Sequence, residues 1–130
     1  MQNVIFIIYV ADQGKSRDFY AKMLDIEPQL DVPGMTEFPI AGGAALGIMT
    51  EAGISRILGG KTKNPAKGSG IPRCEIYLRF HGAEVYFKRF CEAGGKVISE
   101  FERRSWGERV AYGEDPDGHI VAIAEMENGL

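Results

Sequence analysis

From Asn3 to Val10 the chain is almost continuously apolar and the run closes at Asp12, which suits one strand and falls well short of the ~20 residues of a membrane span. The spacing then changes. Phe19, Tyr20, Met23 and Leu24 recur at helical intervals, so residues 15–24 read as a helix with one apolar face. Strand-like pieces follow near 27–32, 36–40 and 44–51. After a loop the order returns. A strand is expected over 73–80, a helix over 83–93 that buries Val85, Tyr86, Phe90 and Cys91 and stops at Gly94-Gly95, and strands over 97–104, 109–114 and 120–126. The pattern βαβββ therefore occurs twice, about seventy residues apart, a period that fits two stacked modules and not a solenoid.

The modules are expected at about 1–51 and 71–130 of a single domain. The segment between them, residues 52–70, reads as a loop. It is rich in glycine and carries Arg56, Lys61, Lys63 and Lys67 without an acidic residue. Gly60-Lys61-Thr62 imitates the end of a phosphate-binding loop, but the required earlier glycine is Ser55. A short turn of Ile54, Ile57 and Leu58 over a cavity rim is the other reading of this stretch.

Composition narrows the function classes. A chain of 130 residues with 45% hydrophobic content supports one core, and a net charge of -3 with dispersed Lys and Arg gives no footprint for nucleic acid. No membrane partner is expected either. Cys74 and Cys91 are too few for a disulfide framework or a zinc cluster, and the start lacks a basic signal region, so a cytoplasmic location is expected. Cys74 and Cys91 are both expected to be buried. His81 and His119 sit at strand and turn ends, as surface histidines would.

The stretch Trp106–Glu125 reads as two strands joined by the turn Asp115-Pro116-Asp117-Gly118. Together with Ser16-Arg17-Asp18-Phe19-Tyr20 on the first helix, it resembles the glyoxalase/bleomycin-resistance/dioxygenase group, the vicinal oxygen chelate superfamily. The resemblance covers nearly the whole chain. It implies an α+β fold of two βαβββ modules whose curled mixed sheets surround a cavity, with helices on the convex faces. In the metalloenzymes of that group a Glu usually stands four residues after the Gly of this turn; here it is Ala122. The other ligand positions fall at Ile5, near Gly47, and at Glu75. One carboxylate among Ile, Gly and Ala cannot hold zinc, nickel or iron, so neither metal nor other cofactor is expected.

What the resemblance leaves is the cavity. Alternation places Ile5, Ile7 and Tyr9 on one face, and Arg73, Glu75, Tyr77 and Arg79 on one face. A regular hairpin closed by Asp115–Gly118 pairs Ala111 with Ala122 and Arg109 with Ala124, which turns Arg109 inward. Thr36 and Phe38 are expected inward beside Ala45, Gly47 and Met49. A small-molecule site then comprises Tyr9, Phe38, Met49, Arg73, Glu75, Tyr77, Trp106 and Arg109, with the arginines in excess and a small organic anion or aromatic compound as ligand. A structural salt bridge of Glu75 with Arg73 or Arg109 is the competing reading of the same charges. The alternative function is a metal-dependent enzyme like lactoylglutathione lyase, with Glu75 as acid or base. Exposed sheet edges and the family's habit point to a homodimer.

Overall fold

The computed structural model describes residues 3–68 and 70–127. Asp12 separates the first two elements by accepting a hydrogen bond from the Lys15 amide at 3.0 Å, so strand β1 (Val4–Val10) passes at once into helix α1 (Gln13–Leu24). Phe19, Tyr20, Met23 and Leu24 are buried as their spacing requires. Strands β2 (Leu30–Val32), β3 (Met35–Ala41) and β4 (Ala44–Thr50) follow. Beyond helix α2 (Glu51–Leu58) and a 3₁₀ turn at Pro65–Gly68 come β5 (Glu75–Phe80), α3 (Ala83–Glu92), β6 (Lys96–Arg103), β7 (Arg109–Glu114) and β8 (Ile120–Glu125).

The chain forms two compact units, residues 1–21 with 25–69 and residues 22–24 with 70–130. Each holds a four-stranded mixed sheet, ordered β1-β4-β3-β2 in one and β5-β8-β7-β6 in the other. The pairs β1/β4 and β5/β8 are parallel, and the others antiparallel. This is the expected α+β arrangement of two modules.

The segment read as a loop is helical in its first part. Thr50 Oγ1 accepts the Gly53 amide at 2.9 Å, Ile54 is buried, and Gly59 ends α2 in the left-handed region at φ 63°. The cap was hidden because Thr50 also closes a strand. In α3 the buried residues are Ala83, Phe87 and Phe90, whereas Val85 and Cys91 are exposed. Glu125 Oε2 accepts the amides of Gly82 and Ala83 at 3.0 and 3.3 Å, which anchors the helix start and sets that face. Cys74 lies just before β5 and is exposed too, so neither cysteine is core.

Two turns decide which side chains share a face. In the β3–β4 hairpin Ala41 pairs with Ala44 but Pro39 with Ala45, so Ile40 is an extra residue in a bulge. Every pair beyond it shifts by one. Glu37 then stands opposite Gly47, while Thr36 and Phe38 stand opposite Ile48 and Leu46 and are fully buried. The expectation that Thr36 and Phe38 face the same way as Gly47 and Met49 is thereby overturned.

The β7–β8 turn works the same way. Asp115 N donates to His119 O at 2.9 Å, leaving a three-residue loop Pro116–Gly118 with Gly118 at φ 87°. Tyr112 pairs with Ala122 and Val110 with Ala124, so Ala111 and Arg109 belong to the other face. Arg109 lies on the α3 side, 3.0 Å from Glu84 Oε1 and over the Phe101 ring at 4.4 Å.

Candidate functional site

In the second unit α3 covers one face of the sheet, with Phe90 against Gly113 of β7. The opposite face carries Glu75, Tyr77 and Arg79 of β5, Ile120, Ala122 and Ala124 of β8, and Glu108, Val110 and Tyr112 at and along β7. Ala122, Ala124 and Val110 are fully buried because the rings of Tyr77 and Tyr112 pack on them. The small residues therefore seat tyrosines; they do not leave a void.

A chain of hydrogen bonds runs across these rings. Trp106 Nε1 donates to Tyr77 Oη at 3.0 Å, and Tyr77 Oη donates to Glu108 Oε1 at 2.8 Å. Arg79 donates to both oxygens of Glu108, from Nε at 2.8 Å and from the terminal amino group at 3.0 Å, a bidentate pair. The Arg79 guanidinium also lies 5.0 Å from the centroid of the Tyr77 ring. Arg79 holds the Glu108 carboxyl below the ordinary range, and Tyr77 adds to this. Burial, more than its partners, raises the Tyr77 phenol. Burial likewise raises Tyr112, with the Glu75 charge assisting.

Trp106 sits in the β6–β7 loop, which is closed by Arg104 N to Glu108 O at 2.8 Å and Gly107 N to Arg104 O at 2.9 Å. The residue is 55% exposed although its ring nitrogen is tied down. Arg104 faces the same side, over the Tyr112 ring at 5.0 Å, with hydrogen bonds to Ser99 Oγ and Val110 O.

The eight residues expected to form one site are divided between the two units. Tyr77 and Trp106 are joined as described. Arg73 and Glu75 line a shallow cleft of about 340 Å³ with Pro72, Cys74 and Ile120, Arg73 lying ahead of β5 in exposed coil and not within the strand. Tyr9 and Met49 are cross-strand partners in the first unit. Phe38 and Arg109 lie on the opposite faces of their sheets. Of the arginines expected there, Arg109 is turned away to Glu84 and Arg79 is matched by Glu108. Sequence reasoning missed Glu108, Arg104 and Tyr112. Glu108 and Tyr112 share alternation with Val110, so the correct turn length would have found them.

The metal-ligand positions implied by the resemblance do not fit a cation. Ile5, Gly47 and Ala122 offer no donor atom. A Cβ added at Gly47 would lie 2.9 Å from Ile7 Cγ1 and 3.0 Å from Ile5 Cγ2, so the side chains beside it are hydrocarbon and bring no donor atom. Among the described residues, Asp115, Asp117 and His119 could hold an ion, their ligand atoms lying within 4.8 Å of one another. That group is built into the hairpin turn. Asp115 Oδ1 accepts the amides of Asp117 and His119, both at 2.9 Å, and Oδ2 lies 2.8 Å from His119 Nδ1. His119 is consequently half-buried and not a free surface histidine, whereas His81 is exposed.

A family model described as a glyoxalase-like domain matches residues 3–127. No curated protein matches the chain significantly. Among solved structures, a glyoxalase-related enzyme from Fulvimarina pelagi has TM-score 0.80 at 19% identity, covering 97% of this chain and 88% of that one. A member of the glyoxalase/bleomycin resistance protein/dioxygenase superfamily from Sphaerobacter thermophilus has TM-score 0.70 at 23% identity, covering 97% and 98%. A family enzyme of the same description from Burkholderia phytofirmans has TM-score 0.76 at 12% identity, covering 95% and 97%. At such identities the likeness concerns the fold.

Proposed function

The chain belongs to the glyoxalase-like family within the glyoxalase/bleomycin resistance/dioxygenase superfamily, and on that premise we propose that it binds a small aromatic compound against Trp106, Tyr77 and Tyr112. One observation carries the reading. Trp106 presents more than half of its surface to solvent, yet its ring nitrogen is fixed by Tyr77, which is fixed in turn by Glu108 and Arg79. A large ring held in place before binding loses little freedom when a ligand stacks on it.

Charge supports an aromatic ligand over an anion. Arg79 is committed to Glu108, Arg109 to Glu84, and Arg104 to Ser99 and the Val110 carbonyl. A metal-dependent lyase is the weaker reading, because Ile5 and Ile7 close over Gly47 and Glu75 stands without fellow ligands at those positions. Fold alone does not choose between binding and catalysis.

Trp106 is the only tryptophan, so its emission reports on this face alone. Titration with a panel of neutral aromatic compounds should give a saturable change for at least one, weakened in Tyr77→Phe and abolished as a binding event, by calorimetry, in Trp106→Ala. Calorimetric binding that survives Trp106→Ala would defeat the proposal. A homodimer belongs to the same proposal, since β1 is an edge strand with Phe6 66% exposed. Light scattering at micromolar concentration should give twice the 14.3 kDa chain mass.

A further inference from the structure

The first unit contains a cleft of about 480 Å³ at the end of its sheet, between the start of β1 and the β3–β4 hairpin, and its volume lies within the range of about 300–1,000 Å³ usual for small-molecule sites. Ile5, Pro39, Ile40 and Ala45 give it apolar walls, and Asn3 and Gln29 add neutral polar groups. Among the described residues, Glu37 is the one charged residue lining it. The bulge at Ile40 turns Glu37 to the face of Ile5 and Ala45, and the partner position across the ladder is Gly47, which puts no side chain beside it. Glu37 is half-buried, and its carboxylate has no hydrogen-bond or ion-pair partner among the described residues.

A carboxylate in that position makes the ligand's charge a matter of physics. Covering it with an apolar or anionic molecule strips its water without replacement, whereas a cation supplies the missing partner. We infer that this cleft is a second binding site, which takes a small amine with one ammonium group and an apolar body. The ammonium pairs with the Glu37 carboxylate, the Gln29 side-chain oxygen accepts a further N–H, and the body lies on Ile5, Pro39 and Ala45. The inference is independent of the aromatic site, which lies in the second unit.

The probes are benzylammonium, benzyl alcohol and benzoate, which share a ring and differ in charge, followed by amide chemical shifts of the full chain. Benzylammonium should give saturable shifts confined to residues 3–5, 29 and 37–45, with the alcohol and the acid at least about tenfold weaker, as hydrogen bonds to a charged group require. Glu37→Gln should remove that preference, and Glu37→Lys should transfer it to benzoate. Trp106→Ala should leave it unchanged, which separates this site from the aromatic one. Shifts scattered over the acidic surface, equal binding of the three probes, or benzylammonium binding that survives Glu37→Gln would overturn the assignment.

Discussion

Replacing Gly113 by alanine tests whether Phe90 is the key that fits α3 to the second sheet. A Cβ at Gly113 would collide with Cε1 and Cζ of Phe90 and lie 2.8 Å from the backbone oxygen of Lys96. The ring cannot step aside, because it is fully buried and the same Cε1–Cζ edge is already packed against Gly95. Overpacking of this kind costs about 1–3 kcal/mol, and a clash with backbone belongs at the upper end. Alanine recovers about 0.5–1 kcal/mol of the conformational freedom that glycine loses on folding. The balance is a loss of about 2 kcal/mol, or roughly 6–10 °C in Tm for a chain of this size. Gly47→Ala is the control. Its Cβ meets only the side-chain carbons of Ile5 and Ile7, both about two-fifths exposed and able to turn away, so it should cost under about 1 kcal/mol. Urea and thermal unfolding give both numbers. A Gly113→Ala protein within 2 °C of the parent, or one less affected than Gly47→Ala, would refute the notch; so would a Phe90→Leu background in which Gly113→Ala is as damaging as before.

Three further outcomes follow from the same geometry. Asp115→Ala removes a fully buried carboxylate that holds two turn amides and His119, and should cost about 1–3 kcal/mol by urea unfolding; a change below ~0.5 kcal/mol would show that the turn holds itself. The Glu108 carboxyl is depressed from 4.5 by Arg79, so its contribution is complete above the ordinary carboxyl range and is lost only as pH falls through the lower folded value. Trp106 emission should accordingly stay level from pH 7 to the ordinary range and change below it, with no such step in Glu108→Gln; a step already complete near pH 5 would contradict the depressed value. Arg109→Ala should leave aromatic binding within about twofold, since Arg109 faces α3, and a tenfold loss in a titration would place it on the binding face after all.

Element order, the α+β class and the apolar face of α1 were legible in the sequence, because each rests on local spacing: 3.6 residues per turn for Phe19, Tyr20, Met23 and Leu24, and period two along the strands. Helix α2 was not, since Thr50 serves at once as strand end and helix cap. Alternation also showed that Tyr77 and Arg79 share a face, and that Trp106 stands at a strand entrance. Which residues of the partner strands join them depended on the turns. Ile40, one extra residue in a bulge, brings Glu37 to the side of Ile5 and buries Phe38; a loop closed by His119 and not by Gly118 brings Glu108 and Tyr112 to Tyr77 and sends Arg109 to Glu84. Because side chains alternate strictly, a shift of one residue in the ladder exchanges the two faces entirely, and that shift is set by backbone pairing across the hairpin and not by the composition of either strand. Thus the kinds of residue available to a site were written in the sequence, and their membership of it was decided by tertiary pairing.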